Sequence, residues 1–219
     1  MKITINQMVE LYTTYLIAST SQVTSTGLST ILENSVSHDS ITRFLSKEIK
    51  TSKDLWLQTK KHIQGGNSGV LIIDDTIEAK PYSKENTTIN YWYDHRVGKC
   101  VKGLNILSCH YDTDSSSSRI GFTILEKAVL SQEGKKGKGS ARSKQEEYRL
   151  LLKTAVNNSV CFDYVWNDKW FASVENMTYI GKELKKKFVM PVKDNRLISL
   201  TKACKDKGVF VLYPIKNVD

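Results

Sequence analysis

Residues 70–86, VLIIDDTIEAKPYSKEN, set an unbroken apolar run, Val70, Leu71, Ile72 and Ile73, directly before two adjacent carboxylates, Asp74 and Asp75. An uninterrupted apolar run rich in branched side chains predicts a central strand covered on both faces. Two neighbouring carboxylates at its end repel each other, so a lysine, an arginine or a divalent cation has to offset them. In open α/β sheets ligands gather beyond the carboxyl ends of parallel strands, so chemistry is sought here first.

Upstream of this strand the sequence reads as helical. Met8, Leu11, Tyr12 and Tyr15 recur at one-face spacing. Two short helices follow, 27–33 and 40–46, separated by NSVSHD, in which Ser37 or Asp39 is placed to cap the second. This pair has two readings: a helix-turn-helix presenting Arg43 to DNA, or a plain helical cap. A further helix spans 51–63, and QGGNSG at 64–69 breaks the pattern. The expected division is therefore a helical DNA-binding region, 1–66, and an α/β domain, 67–219.

Downstream, VKGLNILSCHY and RIGFTILEKAV continue a meander, and residues 131–144 form a Gly/Lys/Ser loop. QEEYRLLLKTAVNN makes a helix with Tyr148, Leu151, Leu152 and Ala155 on one stripe. Then come a strand FDYVWND, a helix from Ser173 with Val174, Met177, Gly181 and Leu184 on one face, and strands FVMPVK and VFVLYP. Strands and helices in this order predict a mixed, partly parallel sheet flanked by helices.

The formal net charge of +9 over 219 residues favours a polyanionic partner. Its distribution is uneven: residues 71–130 carry 7 Lys/Arg against 8 Asp/Glu, whereas 131–160 carry 7 against 3. An acidic island in a basic chain suits a carboxylate-held cation acting on a phosphate backbone. The four cysteines, Cys100, Cys109, Cys161 and Cys204, lack the paired spacing of a zinc site, and free thiols in a reducing cytoplasm are expected. No apolar run reaches the roughly 20 residues of a membrane span.

The second acidic strand end is Asp168 in YVWNDKWF. Were Asp75 and Asp168 on neighbouring strands, they would converge on one cation, although a carboxylate at a strand end is also a common loop cap. Other polar groups divide between surface and site. Lys80, Lys84, Lys99 and Lys102 surround the acidic island, and Trp92, Tyr93, His95 and Arg96 either contact DNA or form an aromatic turn packed on the sheet. Asp112 and Asp114 are read as turn residues, and Cys109-His110 as packed strand.

LIIDDTIEAKPYSKEN, INYWYDHRVGKCVKGLNILSCHY, KQEEYRLLLKTAV, FDYVWNDKWFASVENMTYI and KFVMPVKDNRLISL together resemble the DDE transposases of bacterial insertion sequences. The resemblance implies an RNase H-like catalytic core behind a helical DNA-binding region. It also implies Mg²⁺- or Mn²⁺-dependent cleavage and joining of double-stranded DNA at the ends of a mobile element and at its target. Asp75 and Asp168 then fall on the first two catalytic positions, with Asp74 as alternate to Asp75. Arg43, Lys80, Lys84, His95, Arg96 and Lys102 are the candidate DNA contacts. A homodimer at the bacterial nucleoid, in the cytoplasm, is a further expectation. One departure stands out: such transposases take a third carboxylate from a glutamate on a later helix, and Glu175 and Glu183 follow Asp168 too closely. The chain is accordingly read as a C-terminally truncated transposase, inactive as it stands; the alternative is a DNA-binding regulator without catalysis.

Overall fold

The computed structural model describes residues 3–20, 22–47, 50–63, 68–127, 142–193, 197–198 and 213–214. They fall into two compact units, Met1–Thr51 and Ser52–Asp219.

In the first unit, α1 (Ile5–Ala18), α2 (Ser25–Ile31) and α3 (His38–Lys47) gather around Met8, Leu28, Val36 and Ile41. Thr4 opens α1 with a capping box closed by Gln7. The turn between α2 and α3 carries Glu33 and Asn34 at φ 51° and 58°, a left-handed reversal that Asn tolerates well. Of the two capping candidates, Ser37 does the work: its Oγ accepts from the Ser40 backbone N–H at 3.3 Å.

The second unit begins at α4 (Ser52–Thr59). The division thus comes earlier than the glycine-rich break at 64–69. The reason is packing: α4 lies on the sheet, and Ser52 Oγ accepts from the Phe122 N–H at 3.0 Å. The strands are β1 (Gly69–Ala79), β2 (Asn90–Asp94), β3 (Lys99–Asp112), β4 (Ser117–Ile124), β5 (Phe162–Asn167) and β6 (Lys187–Val189). β1 is central, antiparallel to β3 and parallel to β5, and β6 runs parallel to β5. β4 pairs with the far half of β3 and β2 with its near half. The order β4-β3-β1-β5-β6, an antiparallel meander joined to two parallel strands, is the RNase H-like mixed sheet, with β2 added at one corner.

Helix α5 (Lys144–Asn157) buries Tyr148, Leu151, Leu152 and Ala155 against Leu71, Ile73, Leu107, Cys109 and Val165. One face of the sheet is therefore dry, and the stripe read from the sequence is the one buried. At about 25 cal/mol per Å² this apolar contact is the main source of the unit's stability.

Four sequence expectations change. Asn90–Asp94, read as an aromatic turn or a DNA contact, is strand β2, with the Trp92 indole donating to Gly103 O at 3.1 Å. The strand bearing Asp74 and Asp75 does not end there; β1 continues to Ala79, held by β3, while its pairing with β5 stops at Ile73. Its covering is also uneven, since Leu71 and Ile73 are fully buried and Ile72 is not. Finally, α6 (Val174–Thr178) runs into a π-helical turn, Tyr179–Glu183, and the widened turn rotates the face. Asn176 and Ile180 are buried, and Val174 is exposed. Short strands β7 (Leu197–Ile198) and β8 (Tyr213–Pro214) pair with each other. The rest of the expected VFVLYP strand, most of the 131–144 loop and Cys204 lie outside the described residues.

Candidate active site

Alternation along β1 separates the two aspartates. Leu71, Ile73 and Asp75 share the face covered by α5, whereas Ile72 and Asp74 share the other. Asp75 stands opposite Leu107 and is held from two sides. Lys144 Nζ, at the first turn of α5, lies 2.6 Å from its Oδ1, and Asn105 Nδ2 donates to its Oδ2 at 3.3 Å. The other amide atom of Asn105, Oδ1, is buried without a hydrogen-bond partner.

Asp74 is exposed, and its Oδ1 accepts from the Asp75 N–H at 2.8 Å. Ile72 pairs with Trp166 and Ile73 with Asn167 in parallel register, and Asp74 and Asp168 are the residues that follow this last pair. The two carboxylates line one pocket of about 400 Å³ with Ile72, Ile73, Trp166, Asn167 and Pro191. Asp74 and Asp168 both line this pocket, and Asp75 is not among its lining residues. The repulsion within the doublet is relieved by this splitting: Lys144 offsets one charge, and the other opens to solvent.

The loop bearing Asp168 is fixed by a buried polar network that the sequence reading missed. Tyr148 Oη donates to Asn167 Oδ1 at 2.7 Å, and Asn167 Nδ2 donates to Ile73 O at 2.5 Å, so one side chain ties β5 to β1 and α5. Beyond Asp168, Gln145 Nε2 donates to Trp170 O at 3.1 Å. Asn176 Nδ2 donates to Phe171 O at 2.9 Å and to Gln145 Oε1 at 2.6 Å. Arg149 holds Asn176 Oδ1 at 2.9 Å and Glu175 at 3.0 Å, and Phe171 stacks on Tyr148 with ring centres 4.8 Å apart. The one sequence signal was Asn167 itself, an amide at an inward-facing position of a strand covered on one face.

On the Asp74 side, Ser108 Oγ donates to Asp74 O at 3.4 Å and contacts His110 Nε2 at 3.3 Å, and Arg119 Nε donates to the same Nε2 at 3.4 Å. Burial first, then the Arg119 charge, lowers the His110 pKa from its ordinary value, while Asp74 pulls the other way. His110 is therefore a hydrogen-bonded member of the exposed face. Its neighbour Cys109 is fully buried, and desolvation pushes its thiol up to about 12, which removes it as ligand or nucleophile.

The remaining candidates scatter. His95 stacks on Trp170 at 3.9 Å, two residues past Asp168. Arg96 pairs with Asp94 at 3.1 Å, and that guanidinium holds the Asp94 carboxyl below its usual value. Lys80 pairs with Glu78 at 3.2 Å, Lys102 lies on β3 opposite Tyr91, and Lys84 is exposed. Arg43 is exposed on α3, its Nε donating to Asp39 O at 3.3 Å. Asp112 ends β3, and Asp114 sits in the turn closed by Thr113 and Ser116. Among the described residues no three His, Cys, Asp or Glu side chains converge as a metal-binding group. None of the described helices is long and apolar enough to cross a membrane.

The model of the DDE superfamily endonucleases matches residues 3–202, nearly the whole chain. The chain belongs to this family. Among solved structures the chain is similar to the Drosophila P element transposase strand transfer complex, with a TM-score of 0.45 and 10% identity over 88% of this chain. It spans 42% of the length of that chain. No curated protein matches the sequence.

Proposed function

We propose that this DDE-type endonuclease is a transposase core that cuts and rejoins DNA at the ends of a mobile element, with Asp74 and Asp168 as its metal-holding carboxylates. The observation that carries this reading is that both residues line one pocket, just past the point where the parallel pairing of β1 with β5 stops. The donor set fits Mg²⁺ or Mn²⁺: two hard oxygen ligands with open space leave room for water and substrate phosphate, and Mg²⁺ ordinarily binds through one or two carboxylates plus phosphates. When bound, the cation supplies Lewis-acid activation of the phosphodiester and of water. The chain's own residues do the rest. Tyr148 and Ile73 O hold the side chain of Asn167, the residue before Asp168, and Ser108 braces the Asp74 backbone. Lys144 keeps Asp75 on the far face. Lys80, Lys84 and Lys102, with Arg43 in the helical unit, are proposed phosphate contacts, and a homodimer is the proposed assembly.

The test is nicking of duplexes bearing the terminal sequences of the element that encodes the chain, with and without Mg²⁺. Asp168→Ala and Asp74→Asn are expected to lose cleavage by several orders of magnitude at unchanged melting temperature. Loss in Asp75→Asn with Asp74→Asn still active would refute the assignment. It would move the cation to the α5 face, where Lys144 now sits and Asn105 Oδ1 lacks a partner.

A second reading, a DNA-binding regulator without catalysis, is favoured by the +9 charge and by the lack of a three-carboxylate group among the described residues. Salt-dependent gel shifts with no metal-dependent nicking by the wild-type chain would select it.

A further inference from the structure

The loop after Asp168 carries a cluster that neither the fold nor the carboxylate pair requires. Trp170 stacks face to face on His95, with ring centres 3.9 Å apart and planes 16° from parallel. His95 comes from the β2–β3 hairpin, and Tyr93 meets its edge at 4.7 Å. Two ammonium groups attend the indole: Lys193 Nζ at 4.2 Å and Lys169 Nζ at 5.9 Å from the ring centre. Tyr93 is 52% exposed, and Trp166, which lines the carboxylate pocket itself, is 56% exposed.

We propose that Trp170 and His95, with Lys169 and Lys193, form a stacking platform for unpaired DNA nucleotides beside Asp168, so that the substrate at the cleavage point is a splayed strand and not a closed duplex. This rests on the DNA-cleavage reading and names the form of its substrate. Three properties support it. Aromatic faces next to lysines are the chemistry that holds single strands, because every base offers a π-face and every nucleotide a phosphate. A closed duplex keeps its bases stacked on each other and has no face to give. The platform is also preorganised, since the Trp170 and Phe171 carbonyls are pinned by Gln145 and Asn176 and Phe171 is buried against Tyr148. Lysine is suited to the exchange: a long flexible ammonium resting on an indole can move to a phosphate and yield the ring to a base.

The experiment measures binding of the full chain to fluorescent oligothymidine and to a closed hairpin duplex, in EDTA so that cleavage plays no part. Trp170→Ala is expected to weaken oligothymidine binding about tenfold or more while changing duplex binding less than about threefold, and Trp170→Phe to keep most of the affinity. Lys193→Gln is expected to reduce the salt slope of strand binding by about 0.7. Unchanged oligothymidine binding in Trp170→Ala, or equal losses on both DNAs, overturns the platform. Circular dichroism checks folding; should Trp170→Ala not fold, His95→Ala and Lys193→Gln carry the same comparison, and strand affinities equal to wild type in both overturn it. Trp170-dependent strand binding by a wild-type chain that shows no Mg²⁺-dependent nicking would refute the cleavage reading and leave the platform standing.

Discussion

Replacing Tyr148 by Phe tests whether the Asp168 loop is held as described. Tyr148 is fully buried and Asn167 is 3% exposed, so water cannot take the place of the lost hydroxyl. Asn167 Oδ1 then keeps no donor in place of the 2.7 Å bond, while its amide remains committed to Ile73 O. An unsatisfied buried acceptor costs about 1–3 kcal/mol. For a chain of 219 residues that corresponds to a melting temperature lower by about 3–10 °C. Asn167→Ala removes both bonds and should cost more. Adding Tyr148→Phe to it should cost little further, giving a coupling of about 1 kcal/mol or more in the double-mutant cycle. Because Asn167 directly precedes Asp168, nicking by Tyr148→Phe at a temperature where it is fully folded should fall on the order of tenfold, the effect of a misplaced rather than missing carboxylate. Thermal melts and urea titrations supply the stabilities. A Tyr148→Phe chain that melts within about a degree of wild type, or strictly additive changes in the cycle, would refute the reasoning.

Lys144→Met should strand the Asp75 carboxylate on a mostly covered face and destabilise by about 1–2 kcal/mol, the partial exposure of the pair holding the loss below that of a fully buried one. Adding Asp75→Asn should recover most of this, as read by urea denaturation. His110 gives a pH dependence: burial and Arg119 set its folded pKa below the ordinary value of 6.5, so protonation favours the unfolded chain. Its contribution is intact above pH 6.5 and is lost as pH falls from there toward the lowered folded value. Wild type should therefore lose more melting temperature across that window than His110→Gln, and parallel curves would count against it.

The helical stripes of α1 and α5, the strands β1 and β5 and the class of sheet could all be read along the chain, because each is written in local periodicity and in the chemistry of caps and turns. The DDE resemblance was carried by the same local blocks, and the family match agrees with the family it named. Which member of the Asp74–Asp75 doublet meets Asp168 was beyond local reading. In a strand one residue decides the face, and only the parallel register of β1 with β5 says which face carries the loop. The same holds for Lys144, Asn105 and Tyr148, whose partners are distant in sequence, and for His95 and Trp170, which a hairpin and a loop bring together. Composition and periodicity determined that acidic residues would follow apolar strand segments in a basic α/β protein. Long-range pairing alone decided which of these side chains come together, since hydrogen-bond register and side-chain burial are set between segments and not within them.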